Sequence, residues 1–112
     1  MAYKYELFLT TLAREDIIKI YNYICYNLFN QTAANSFKKS IFKALDTIRY
    51  FPNSFPIFNN EYFKEDSLRK IKVNNYLIIY VFEENVIKVL RIVYGARDYE
   101  NIVKKIDKVI NL

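Results

Sequence analysis

The sequence predicts an α+β fold: an N-terminal strand, a helical hairpin packed on a mainly antiparallel four-stranded sheet, and a short C-terminal helix. Two observations carry this. The hydrophobic period is two residues at the start, becomes three-and-four near residue 12, and returns to two near residue 68. Pro52 and Pro56 fence the helical stretch from the strands that follow. The resulting order is strand, helix, helix, strand, strand, strand, helix. A helix pair with one apolar stripe must bury it against one face of the sheet. The other face is expected to be less covered.

From Tyr3 to Thr10 the chain alternates, with Tyr3, Tyr5, Leu7 and Leu9 on one side and Lys4, Glu6, Phe8 and Thr10 on the other. That is a half-buried strand. Ala13, Ile17, Ile20, Ile24 and Leu28 then recur at helical spacing, giving an amphipathic helix of about 17 residues. Thr10 or Thr11 caps it, and Glu15 and Asp16 sit early, where the helix dipole favours acids. Asn30-Gln31-Thr32 interrupts the pattern, and Thr32 is the expected cap of a second helix. Ala34, Phe37, Ile41, Leu45 and Ile48 form that helix's buried stripe, and Pro52 stops it. Two helices joined by so short a break fold back as a hairpin.

Residues 52–67 read as a loop with four aromatics, Phe55, Phe58, Tyr62 and Phe63, either pinned to the core, the expected case, or used for binding. Leu68–Val73 is a strand, Asn74-Asn75 a tight turn, and Tyr76–Phe82 a strand apolar on both faces and therefore central. Glu83-Glu84-Asn85 turns the chain into a last strand, Val86–Tyr94, which Gly95 ends. Ile102, Ile106, Val109 and Ile110 place a terminal helix over 98–110. The expected core includes Leu7, Ile17, Ile24, Phe37, Ile41, Ile48, Ile71, Ile78, Tyr80 and Leu90.

A length of 112 residues fits one domain over 1–112, and 53% hydrophobic residues supply one core. One Gly and two Pro argue against disorder. Cys25, the single cysteine, falls in the helical pattern and is read as a small hydrophobe. With no His, imidazole metal sites and imidazole bases are excluded. There is no phosphate-cradling Gly loop, no paired-Cys spacing and no Ser-centred hydrolase motif, so no cofactor or metal is expected. The N-terminus lacks the apolar run of a signal peptide and no segment is long enough to span a membrane, which points to the cytoplasm.

The net charge is +5, from 17 Lys and Arg against 12 Asp and Glu. This balance suits nucleic acid, an acidic protein, or simply a basic solvated surface. Arg69, Lys70, Lys72, Lys88, Arg91 and Arg97 are the basic residues of the sheet region. Alternation puts Lys70 and Lys72 on one face and Ile71 and Val73 on the other, toward the helices. Two lysines in register beside Arg97 either stay solvated or form a cationic surface for a phosphate backbone. RNA cleavage by a 2′-hydroxyl needs a base, an acid and positive charge; without His, a lysine or tyrosine must provide the proton transfers and Arg the electrostatic clamp.

Several segments together resemble one family. The opening strand leads into Ala13-Arg14-Glu15-Asp16-Ile17-Ile18-Lys19-Ile20-Tyr21-Asn22-Tyr23-Ile24, which resembles the first helix of RelE/ParE toxins. Leu68-Arg69-Lys70-Ile71 and Asn75-Tyr76-Leu77-Ile78-Ile79-Tyr80 resemble their central hairpin, and Val89-Leu90-Arg91-Ile92-Val93-Tyr94-Gly95-Ala96-Arg97-Asp98 their last strand and its exit. The resemblance implies the toxin of a bacterial type II toxin–antitoxin pair, which arrests growth and is neutralised by direct binding of its antitoxin. RelE-like members cut mRNA on the ribosome; ParE-like members block DNA gyrase. Lys70, Lys72 and Arg97 match basic positions of the RelE type, with Tyr99 as the nearest tyrosine to its C-terminal one. RelE-type nucleases, however, tend to carry an arginine directly after the central-strand tyrosine, where Leu77 stands here, and Val103 falls where spacing would put the C-terminal tyrosine. The Gly95-Ala96-Arg97-Asp98 exit and the long helical hairpin look more like ParE. A third reading is an interaction module without toxicity.

Overall fold

The computed structural model describes residues 3–57 and 68–95. The strand β1 (Glu6–Leu9) leads into helix α1 (Thr11–Asn22), a π-helical turn (Tyr23–Asn27) and helix α2 (Gln31–Tyr50). Strands β2 (Leu68–Val73), β3 (Tyr76–Glu83) and β4 (Val86–Tyr94) complete a four-stranded sheet in the order β1-β4-β3-β2. The meander β2-β3-β4 is antiparallel, and β1 lies parallel to β4, so the sheet is mixed. A parallel pair needs a crossover, and the helical hairpin with the meander provides it. The expected terminal helix over 98–110 lies outside the described residues, as do Phe58, Tyr62 and Phe63.

The helices cover one face. Ala13 and Ile17 of α1, Ile24 of the π turn, and Ala34, Phe37, Ile41, Ala44, Leu45 and Ile48 of α2 form one core with Ile78, Tyr80, Ile87, Val89 and Ile92. Leu7, Ile71 and Cys25 are half-buried and pack against it. The second face is not bare. Leu68, Ile79, Val81 and Val93 on it are buried, in keeping with a β3 apolar on both sides.

Two expectations about the hairpin need correction. The first helix does not run evenly to Leu28: after Asn22 it widens into the π turn, and Leu28 is exposed. The Leu28 N–H reaches back to the Tyr23 carbonyl and the Asn30 N–H to that of Ile24, both at 3.1 Å, closing the tip with Phe29 at φ 51°. The cap of α2 is Asn30, whose side chain accepts from the Ala33 N–H at 3.0 Å, two residues earlier than Thr32. Asn suits this place, since its side-chain carbonyl accepts well from the first free N–H groups of a helix. Thr10 caps α1 as expected, accepting from the Ala13 N–H at 3.1 Å.

The turns follow the residue types. Asn74 takes φ 54°, and Glu84 and Asn85 take 52° and 64°, the two positive values a type I′ hairpin requires. The segment after α2 is held at three points: the buried Tyr80 hydroxyl donates to the Pro52 carbonyl at 2.7 Å, the Arg69 guanidinium donates to the Phe55 carbonyl at 2.7 Å, and the Lys70 N–H donates to the Pro56 carbonyl at 3.1 Å.

Candidate binding surfaces

The decisive local feature is a β-bulge. Ile79 of β3 pairs with Arg91 but Tyr80 pairs with Val89, which leaves Leu90 as an extra residue in β4. Strict alternation after Ile87 and Val89 would aim Arg91 into the helix-side core. The bulge instead puts Ile92 into that core and releases Arg91 toward the strand's outer edge.

That edge needs partners. β1 pairs with β4 only from Val86 to Val89, so beyond Leu90 the outer side of β4 has no strand beside it. The start of α1 takes over. The Thr10 N–H donates to the Val89 carbonyl at 3.0 Å and its hydroxyl to the Leu90 carbonyl at 2.9 Å. Asp16 then accepts the Ile92 N–H at 3.0 Å and forms a two-pronged ion pair with Arg91, from Nε at 2.7 Å and Nη2 at 3.0 Å. The two side chains are only 17% and 13% exposed. Asp16, read from sequence as a dipole-favoured acid, lies beyond the first turn of α1 and instead seals the edge of β4. Nothing in the local sequence marks a pair 75 residues apart.

The basic residues of the sheet therefore divide. Arg91 is committed to Asp16, and Arg69 to the carbonyls of Asn53 and Phe55. Lys70 and Lys72 share the second face, paired in register with Ile79 and Leu77. Lys88, opposite Val81 and beside Phe8, is exposed on the same face. The apolar Leu77 thus sits directly across from Lys72. Arg97 and Tyr99 lie outside the described residues.

The tyrosines of the central strand are held in their protonated form. Burial, and secondarily the neighbouring Tyr94, raise the Tyr76 phenol above its ordinary value. Burial pushes Tyr80 up to about 12, with Arg69 opposing. Tyr76 is wedged between Phe37, at 4.9 Å, and Tyr94, edge-on at 5.4 Å.

A groove of about 1310 Å³ runs between α1 with its π turn and the far end of β4. Asp16 and Arg91 lie in its wall, and Ile20, Tyr23, Leu28 and Tyr94 give it an apolar lining, of which Tyr23, Leu28 and Tyr94 are exposed. Sequence reasoning did not find it. The helical count places Leu28 on the buried stripe, whereas the structure leaves it exposed at the groove. Among the described residues, no three His, Cys, Asp or Glu side chains gather where a metal ion would bind, and no helix is long and apolar enough to cross a membrane.

Comparison with known proteins agrees with this architecture. No curated protein matches the chain. Among solved structures, the chain is similar to one described as the chromosomal ParDE system of P. aeruginosa, at 16% identity and a TM-score of 0.65, covering 82% of this chain and 97% of that one. It is similar to a chain of the RelBE2 toxin–antitoxin complex of Mycobacterium tuberculosis, at 16% identity and a TM-score of 0.54, covering 81% and 98%. A doubly substituted RelE toxin of E. coli in the free state aligns over the full length of both chains, at 20% identity and a TM-score of 0.53. These likenesses establish the shared fold. Residues 7–99 match the family described as ParE toxin of type II toxin-antitoxin system, parDE, which spans β1 through the exit of β4. The chain belongs to the ParE toxin family of type II toxin–antitoxin systems.

Proposed function

We propose that this protein arrests growth in the bacterial cytoplasm by binding DNA gyrase, without cutting RNA, and that a cognate antitoxin neutralises it by direct contact. The observation that carries the gyrase reading is Leu77. It faces Lys72 across β2 and β3, where an RNA-cutting relative would be expected to offer an arginine to the phosphate. An apolar side chain there stabilises no developing charge. The groove between α1 and β4, with its apolar lining and an ion pair in its wall, suits an amphipathic antitoxin segment that orders on binding.

The shared face of Lys70 and Lys72 favours a second reading, a ribosome-dependent mRNA endoribonuclease. Induction of the gene in cells separates the two. Gyrase inhibition gives DNA damage and altered plasmid supercoiling with intact mRNA; codon-positioned mRNA cuts would establish the nuclease instead. Induction that leaves growth unchanged would leave an interaction module without toxicity. Co-expression with the neighbouring gene product tests neutralisation, and a tight complex with that product is the expected result.

A further inference from the structure

The outer face of α2 carries charge that the proposed function leaves unused. Lys38, Lys39 and Lys43 are all exposed, and among the described residues none has an ion pair or hydrogen bond to an acid. At 100° per residue the three fall within one side of the helix, with Phe42 between them and exposed. The acid of this helix, Asp46, lies on the same side one turn beyond Phe42 and is paired with Lys4 at 2.9 Å, which offsets its charge. Thr32, Asn35 and Ser36 extend the same side toward the helix start, and with Lys38, Lys39 and Phe42 they line a shallow depression of about 530 Å³. Asn35 already uses its carbonyl to accept from the Tyr21 hydroxyl at 3.0 Å, which leaves its amide N–H groups turned to donate. The depression therefore offers cations, polar donors and one aromatic ring, and no carboxylate.

We infer that the outer face of α2 is a contact surface for the phosphate backbone of duplex DNA. Lys38 and Lys43 stand about 7.5 Å apart along the helix axis, so that they engage separate phosphates rather than share one. The exposed Phe42 ring supplies apolar cover beside the sugars. A surface dominated by lysines contacts phosphate oxygens, which positions a protein on the duplex without reading its sequence. This surface is separate from the lysines of the sheet's second face, which lie across the sheet from the helices. The choice of DNA rather than RNA rests on the gyrase reading, because gyrase works with duplex DNA in hand. A toxin docked on gyrase would then gain part of its affinity from the DNA that the enzyme holds.

The test measures fluorescence anisotropy of labelled duplex DNA, with single-stranded RNA and poly-glutamate as competitors, over a series of salt concentrations and without gyrase. The wild-type protein is compared with a Lys38→Gln/Lys39→Gln/Lys43→Gln variant whose melting curve is checked for an intact fold. Each phosphate contact contributes about 0.9 to the slope of log affinity against log salt, so the variant's slope on duplex DNA should be shallower by about 2.7, and its binding at low salt weaker by about tenfold or more. An unchanged slope in a folded variant overturns the inference. So does RNA bound more tightly than the duplex, or poly-glutamate competing as well as DNA, which would make the face a site for RNA or for an acidic protein. Gyrase inhibition is read separately in a supercoiling assay, so loss of the DNA contact and failure of the gyrase reading give different results.

Discussion

Asp16 ties the helical hairpin to the sheet edge, and its removal has a calculable cost. In Asp16→Ala the Arg91 guanidinium loses bonds of 2.7 and 3.0 Å and the Ile92 N–H loses its acceptor at 3.0 Å. Breaking a buried pair by removing one partner costs about 3–5 kcal/mol, whereas exposed pairs are worth about 0–1 kcal/mol. At 17% and 13% exposure the pair is nearer the buried limit, and the lost edge bond adds to it, so about 3 kcal/mol is expected. A domain of this size loses about 4 °C of melting temperature per kcal/mol, which predicts a drop of about 12 °C. Asp16→Asn keeps an acceptor for Ile92 and should lose roughly half as much. Urea unfolding of Asp16→Ala, Arg91→Ala and the double variant gives the coupling energy. A cost below about 1 kcal/mol, or two substitutions that simply add, would refute the claim that this pair seals the edge of β4.

Other consequences are as specific. Ile41→Ala and Ile78→Ala each empty a fully buried site on opposite sides of the helix–sheet core and should each cost about 2–5 kcal/mol; an unchanged unfolding midpoint at either would contradict the packing. Tyr80 has a folded-state pKa raised to about 12 against 10 when unfolded, so its contribution is fully present below pH 10 and is lost as the pH rises through 12. The loss is about 2–3 kcal/mol, read from urea midpoints between pH 9 and 12 and absent in Tyr80→Phe. Lys70→Ala and Lys72→Ala should weaken toxicity gradually, whereas loss of a general acid or base would cost about 10²–10⁴ in rate, measured as killing on induction.

The periodic elements were legible in the sequence. The switch of period near residue 12 and its return near residue 68 place both helices and β2, β3 and β4, because a buried stripe repeats with its element's own spacing. Seven of the α2 and sheet positions that pack the core, Ala34, Phe37, Ile41, Leu45, Ile48, Ile78 and Tyr80, are those the two periodicities pick out. What escaped has a common origin in single-residue departures. Leu90 as a bulge looks like an ordinary strand residue, yet it decides that Ile92 and not Arg91 enters the core. The π turn preserves the apolar spacing through Ile24 while turning Leu28 outward. The parallel pairing of β1 with β4 and the Asp16–Arg91 pair join segments far apart in sequence, where no local pattern reports contact. The sheet's basic residues read as one group and separate in three dimensions, with Arg69 and Arg91 used for structure.

The central claim is that this fold disables gyrase by binding it, and a supercoiling assay with purified gyrase, relaxed plasmid and ATP tests it most directly. The account predicts that supercoiling falls as the toxin is added, that the neighbouring gene product restores it, and that Lys70→Ala and Lys72→Ala inhibit to a graded and lesser extent. Gyrase that supercoils undisturbed at saturating toxin, while the same preparation cuts ribosome-bound mRNA and loses that cutting in either lysine variant, would contradict it.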